Sequence, residues 1–470
     1  MIGGTLMKKN MIIYGSYEGI QVQAIKHLTQ ILLDTTVEHP ICVSADKYVE
    51  EKECRHFFIG TKESNPYVRQ LSDRELTHKE EYYIKVAGDT VLIEGSDDAG
   101  VLYGCIDFYN KYLMKAELTH TQAYFKDIYS GVFEDFEYSA YPATERRGLW
   151  TWGYVTYDYQ GYIDNMVRLK MNTLIMWNDF VPVNAREMVE YAHANNIKVY
   201  WGYPWGWDTS CMDVDVKNIF RITDWIIDHY TENYAHLGGD GIYFQSFTET
   251  KEDKINGMLI AEAVTEFVNH TADQMLFKYP GLELQFGLHA TSVKNQLDYM
   301  KNVDPRLTIV WEDCGAFPYD YIPSKIAGFE DAVDFTKQII ALRGEEEKFG
   351  TVLKGFTSLD WSCFEHQKGS FYTGSVSPKL AAGRMLRKSK IWHFVQAYWL
   401  RNADKAYEMI KLMNEASDGK ALITALVEDS MFEQKIYYPV ALYAAMCWER
   451  DMELKDLMCE VALSSYVDFA

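Results

Sequence analysis

The sequence predicts a mixed α/β fold: a (β/α)8 TIM-type barrel preceded by a small α/β domain and followed by a helical C-terminal region. Three patterns lead there. From Arg146 onward, short apolar runs alternate with amphipathic stretches, as repeated strand and helix units do. Before Arg146 lies a separate set of short strands and helices, and beyond Pro378 every periodic stretch is of helical type. At 470 residues the chain exceeds one ordinary core, so two or three domains are expected. The boundaries implied are 1–125, 126–377 and 378–470.

In the first domain, Val22, Ile25, Leu28, Ile31 and Leu32 recur at helical spacing, while Ile41 to Ser44 and His56 to Ile59 are short runs of strand type. Tyr82 to Val86 and Thr90 to Glu94 flank Ala87-Gly88-Asp89 and read as a hairpin. The glycine-bounded stretch from Gly95 to Gly104 then opens a helix ending near Leu113, with Asp97 or Asp98 suited to cap its first turn.

Seven barrel strands are readable: Gly148 to Trp152, Thr173 to Trp177, Lys198 to Gly202, Gly241 to Ser246, Leu282 to Gly287, Thr308 to Trp311 and Thr351 to Thr357. The eighth is expected near Trp361 or within Gln396 to Leu400. Between them lie helical stretches such as Asn184 to Ala194, Val216 to Tyr234, Ile255 to Lys278 and Asp331 to Arg343. Lys379 to Arg387, Ile391 to Trp399, Lys405 to Glu415 and Val440 to Leu457 make up the helical end.

Composition narrows the function. Lys plus Arg at 46 against Asp plus Glu at 68 gives a net charge of −22, which repels nucleic-acid phosphates and anionic lipid. No run approaches the ~20 apolar residues that span a bilayer. The apolar run Met11 to Tyr14 is too short for an export signal, and the eight cysteines are scattered, so reduced thiols in a cytoplasm are expected. No cofactor motif is seen, and the twelve histidines show no His-Glu-x-x-His spacing, so neither a cofactor nor a metal is expected. Tyr 34, Phe 23 and Trp 12 make the chain rich in rings, which suit the apolar faces of sugars, the core, or a homodimer surface.

In a barrel, reacting groups sit where each strand ends and its loop begins. Those positions carry Trp150-Thr151-Trp152, Trp177-Asn178-Asp179, Trp205 and Trp207, Ser246-Phe247-Thr248-Glu249, His289, Trp311-Glu312-Asp313, and Asp360-Trp361 with Glu365. Acids, amides and indoles dominate, with no nucleophile elbow or phosphate loop. Such a ring suits glycoside hydrolysis, in which one carboxyl group protonates the leaving oxygen and a second, ionised one activates water or attacks carbon. Glu249 is the leading acid, because the aromatic strand before it and Phe247 would raise its pKa. Glu312 and Asp313 are candidates for the second; adjacent on an extended chain they face opposite ways, so at most one is catalytic. Asp320, Asp360 and Glu365 stand in reserve. Trp152, Trp177, Asn178, Asp179, Trp205, Trp207, His289, Trp311 and Trp361 are the expected substrate contacts.

Four motifs, in order, carry a family resemblance: Glu145-Arg146-Arg147-Gly148, Lys170-Met171-Asn172-Thr173-Leu174, Asn196-Ile197-Lys198-Val199-Tyr200 and Gly241 through Glu249. They are similar to the first four barrel strands of the α-glucuronidases, glycoside hydrolase family 67. The resemblance implies that Glu249, at the end of the fourth strand, is the general acid, and that the outcome is inversion. The glycine-bounded turn before the barrel resembles the accessory domain of hexosaminidase-type enzymes, whose Arg-Gly entrance implies that Arg147 holds sugar hydroxyls. Two departures stand out: Thr250 replaces the family's glycine after the acid, and Trp311-Glu312-Asp313-Cys314-Gly315 replaces its sixth-strand Asn-Gly-Pro. The expectation is a glycoside hydrolase acting on a terminal sugar, a uronic acid or a hexosamine, of an oligosaccharide. The alternative is a non-catalytic carbohydrate-binding protein on a degenerate barrel.

Overall fold

The computed structural model describes residues 8–36, 38–114, 133–152, 155–206, 219–249, 253–255, 257–312, 325–343, 348–356, 365–427 and 432–470; of Glu249 it describes the backbone. The chain divides into two compact units, residues 1–142 with 194–196, and residues 143–193 with 197–470.

The first unit holds a six-stranded sheet of β1 (Lys9–Tyr14), β2 (Ile41–Ser44), β3 (Cys54–Gly60), β4 (Tyr82–Ala87), β5 (Thr90–Gly95) and β6 (Phe136–Ala140), in the order β2-β1-β3-β5-β4-β6. The expected hairpin is the antiparallel β4–β5 pair, turning at Gly88 with φ +58°. Asp97 caps the helix Asp98–Asp107 by accepting from the Gly100 amide at 2.8 Å. The glycines of that turn have a steric cause. A Cβ on Gly100 would overlap the Glu81 carbonyl, and one on Gly104 would sit 2.7 Å from Ile93 Cγ2, so the helix could not lie this close to the sheet.

The second unit is a closed parallel barrel of β7 (Arg146–Trp152), β8 (Thr173–Trp177), β9 (Lys198–Gly202), β10 (Gly241–Gln245), β13 (Glu283–Leu288), β14 (Thr308–Glu312), β15 (Phe349–Phe356) and β16 (Leu422–Val427). A small hairpin, β11 (Lys254–Ile255) with β12 (Met258–Leu259), precedes the helix Ile260–Lys278. Near the C-terminus β17 (Ile436–Tyr437) pairs with β18 (Val467–Asp468).

The eighth strand is β16, beyond both stretches where the sequence placed it. It pairs with β15 on one side and β7 on the other, so residues past Pro378 complete the barrel as well as adding helices. The three helical stretches expected between Lys379 and Glu415 are one helix, Pro378–Ser417, kinked at Asn402, and the stretch Val440 to Leu457 is broken into Tyr438–Trp448 and Leu454–Ala462.

Strand alternation decides what faces inward. Trp150, Ile175, Trp177, Tyr200, Tyr243, Val310, Val352, Leu422 and Leu426 form one buried cluster inside the barrel. Their neighbours in sequence face the surrounding helices: Trp201 stacks on Tyr234, and Trp311 meets Phe335 edge-on at 5.3 Å. Gly202 makes room for Trp177, whose Cβ would lie 2.7 Å from an added methyl carbon.

Among the described residues no helix is long and apolar enough to cross a membrane.

Candidate active site

The strand ends gather a buried polar cluster around Glu312, the last residue of β14. Its side chain is fully buried. One carboxylate oxygen accepts from the Tyr243 hydroxyl and from Gln245 Nε2, each at 2.6 Å; both donors lie on β10. The other accepts from Lys354 Nζ on β15, with His289 Nε2 3.3 Å away, just past the end of β13. Two strands, β10 and β15, and the residue following a third, β13, thus converge on the carboxylate of β14. Gly287 leaves the space, since a Cβ there would overlap both Glu312 and Tyr243.

Burial by itself pushes the Glu312 carboxyl up. The Lys354 ammonium, the His289 ring and the hydrogen bonds from both outweigh it and hold the group far below the usual carboxylate range. Glu312 is therefore ionised, and each of its oxygens has two donors. Lys354 Nζ also lies 5.5 Å from the ring centroid of Trp150, which in turn is 4.9 Å from Tyr243 and 6.0 Å from Trp177. Aromatic rings and the ion pair thus pack together inside the barrel.

This cluster reaches the turn that carries Glu249. Phe247–Glu249 is a single 3-10 turn directly after β10, which puts Glu249 at the C-terminal mouth. The His289 amide donates to Thr248 Oγ1 at 3.4 Å, and Thr248 is fully buried. The residue beside Glu249 is thereby tied to the His289 backbone, while the His289 ring is tied to Glu312.

Of the expected contacts, Trp152 is half-buried against the inner cluster and Trp177 ends β8 within it. Asn178 exchanges hydrogen bonds with the Tyr159 hydroxyl at 3.0 to 3.1 Å. Asp179 Oδ2 takes the His366 ring and the Gln367 amide, both at 3.0 Å.

Three of the expected residues lie away from this cluster. Trp205 is fully buried and stacks on Phe244 at 3.6 Å, on the outward face of β10, so it is core. Trp311 faces the helix Phe329–Arg343 because Glu312 beside it faces in. Arg147 lies at the opposite, N-terminal end of β7, where its guanidinium donates to the Thr144 and Glu145 carbonyls and lies 4.8 Å from the Trp448 ring; there it cannot hold a sugar at the mouth. Asp313, Trp207 and Trp361 lie outside the described residues, as do Asp320 and Asp360.

Residues outside the expected site set join the cluster and its rim: Tyr243, Gln245 and Lys354 inside, and Arg384 with Glu433 at the rim. Lys354 carried a signal, since it interrupts the apolar run of β15 on the same face as Val352. A lysine buried in a strand implies a partner.

The chain matches no protein-family model and no curated protein. Solved structures do share its fold. A β-hexosaminidase of Streptomyces plicatus bound to the product GlcNAc aligns over 99% of this chain and 93% of its own, at 9% identity and TM-score 0.58. A β-N-acetylhexosaminidase of Bacteroides fragilis aligns over 97% and 90%, at 12% identity and TM-score 0.57. A family GH115 4-O-methyl-α-glucuronidase with specificity for decorated arabinogalactans aligns over 94% of this chain and 57% of its own, at 13% identity and TM-score 0.53. At these identities the likeness is one of fold.

Proposed function

We propose that the chain is a glycoside hydrolase that releases a terminal sugar from an oligosaccharide, with Glu249 as the proton donor. The observation that carries this reading is the Glu312 cluster: a buried, ionised carboxylate at the C-terminal mouth of the barrel, beside Trp150, Trp152 and Trp177. The shared fold of hexosaminidases and a glucuronidase supports it.

The two acids divide the work by environment. A group that must give up a proton at neutral pH cannot be Glu312, whose surroundings hold it ionised. Nor is Glu312 suited to attack carbon or activate water, since both oxygens are already occupied. It acts instead as a fixed charge that holds Tyr243, Gln245, Lys354 and His289 in place. The carboxylate that works with Glu249 is then one of the other acids expected from the sequence, Asp313, Asp320, Asp360 or Glu365. Glu249 protonates the leaving oxygen while that second carboxylate removes a proton from the attacking water, which gives inversion for a carboxyl separation of about 6.5 to 9.5 Å.

The pairing of Glu312 with Lys354 also bears on the sugar. A uronate would need a cation whose charge is still available, and Lys354 is already answered by Glu312. Among the described residues this pair therefore adds no net charge, which favours an uncharged sugar such as an N-acetylhexosamine over a uronic acid. A second reading, a barrel that binds carbohydrate without cleaving it, is favoured by one feature alone, the occupation of both Glu312 oxygens. A panel of 4-nitrophenyl glycosides, N-acetylhexosaminides and glucuronides tests both. Release from a neutral member supports the hydrolase, whereas calorimetric binding with no release from any member supports the second reading.

A further inference from the structure

The rim of the barrel mouth is bolted at one buried residue outside the Glu312 cluster. Arg384 lies in the second turn of the helix Pro378–Ser417, and its side chain is 1% exposed. Its guanidinium donates to Glu433 Oε1 at 2.8 Å, past the end of β16, and to the Val155 carbonyl, past the end of β7. The same group lies 3.4 Å from Glu365 Oε2, past the end of β15, and 4.8 Å from the Tyr157 ring. Glu433 passes the link on, because its other oxygen accepts from the Asp158 amide at 2.7 Å. Three loops that follow adjacent strands are thus held by one planar fork, a task that fits arginine's rigid set of donors and not lysine's single ammonium.

The β8 loop joins the same wall without Arg384. Asp179 binds His366 and Gln367, one and two residues beyond Glu365, and the Gly374 amide donates to the Tyr157 carbonyl at 2.8 Å. Trp152 lies three residues before Val155, and Trp177 two before Asp179, so both rings sit at the strand ends that lead to these contacts.

We propose that Arg384 is a positioning residue for ligand: it fixes the loops after β7, β15 and β16 as one wall, against which a sugar ring is held by Trp152 and Trp177. The ligand class rests on the glycosidase reading; the bolt does not. Arg384 is far from Glu249 in the barrel order and touches no reacting group, so its loss should weaken binding and leave the chemical step alone.

The test compares the full chain with its R384K and E433Q variants by hydrogen exchange and by kinetics. In R384K the Asp158 and Gly374 amides should exchange at least tenfold faster, while amides of β7 stay protected. On whichever 4-nitrophenyl glycoside the parent cleaves, KM should rise at least tenfold with kcat within about twofold. E433Q carries the test if R384K does not fold, since a neutral amide oxygen can accept from Arg384 or from Asp158 but its nitrogen cannot accept at all. Unchanged exchange at Asp158 and Gly374 overturns the bolt. Faster exchange with an unchanged KM, or an equal fall in kcat, overturns the positioning role. If the parent cleaves no glycoside, the glycosidase reading fails while exchange still decides on the bolt, and calorimetry with N-acetylglucosamine replaces KM.

Discussion

Glu312 and Lys354 form an ion pair inside the barrel, with side chains 0% and 6% exposed, and each carries the other's charge in a place where water cannot. Two more donors from β10 and one ring nitrogen complete the carboxylate's shell. Such a pair is costly to break from one side, because the remaining charge stays buried.

Glu312→Gln should therefore destabilise the protein by about 3–5 kcal/mol, and Lys354→Met by a similar amount. The double variant should recover most of the loss, since it leaves no unpaired charge. Urea unfolding of the four proteins checks this, and additive losses in the double variant would contradict the pairing.

Acid should unfold the protein partly through the same residue. The folded-state pKa of Glu312 is depressed, so its contribution is present above the unfolded value of about 4.3 and is lost as pH falls from there toward the folded value. Urea midpoints measured from pH 7 to pH 3 should fall more steeply for the parent than for the Glu312→Gln, Lys354→Met double variant. Parallel curves would contradict it.

A histidine at the other end of the barrel should respond in the opposite direction. His193 Nε2 is 2.9 Å from Asp240 Oδ2, and that hydrogen bond raises its pKa against the lowering effect of partial burial. The stabilisation is present below about pH 6.5 and is lost as pH rises through the folded value above it. NMR titration should place the His193 midpoint above that of a free imidazole, and Asp240→Asn should bring it down.

Tryptophans on the two faces of the strands should separate by phenotype. Trp205→Ala and Trp311→Ala remove buried rings that pack on Phe244 and Phe335, and each should cost about 3–5 kcal/mol. Trp152→Ala, at a half-buried ring near the mouth, should cost less stability and more sugar affinity. Thermal melts beside calorimetry with N-acetylglucosamine separate the two effects, and equal affinity losses at Trp152 and Trp311 would contradict the inward and outward assignments.

Those assignments also explain what the sequence could carry. Seven strands were legible because each is a short apolar run between amphipathic helices. β16 was not, because Leu-Ile-Thr-Ala-Leu-Val is buried on both faces and follows a 40-residue helix, so periodicity does not distinguish it from more helix. The two-residue period that sets Glu312 against Asp313 equally sets Trp311 against Glu312, so Trp311 faces away from its neighbour. For Arg147 and Trp205 the sequence offers only a motif and a ring type, neither of which reports which end or face of a strand a residue occupies. The partners of Glu312 come from residues 243, 245, 289 and 354, a long-range convergence created by barrel closure.

The glycosidase reading turns on Glu249, and replacing its acid by an amide puts that role to the test. On a glycoside that the parent cleaves, Glu249→Gln should lower the release rate by about 10²–10⁴-fold, as loss of general acid catalysis does, with calorimetric affinity for the sugar retained. Release at the parental rate would contradict the assignment of Glu249 as the proton donor.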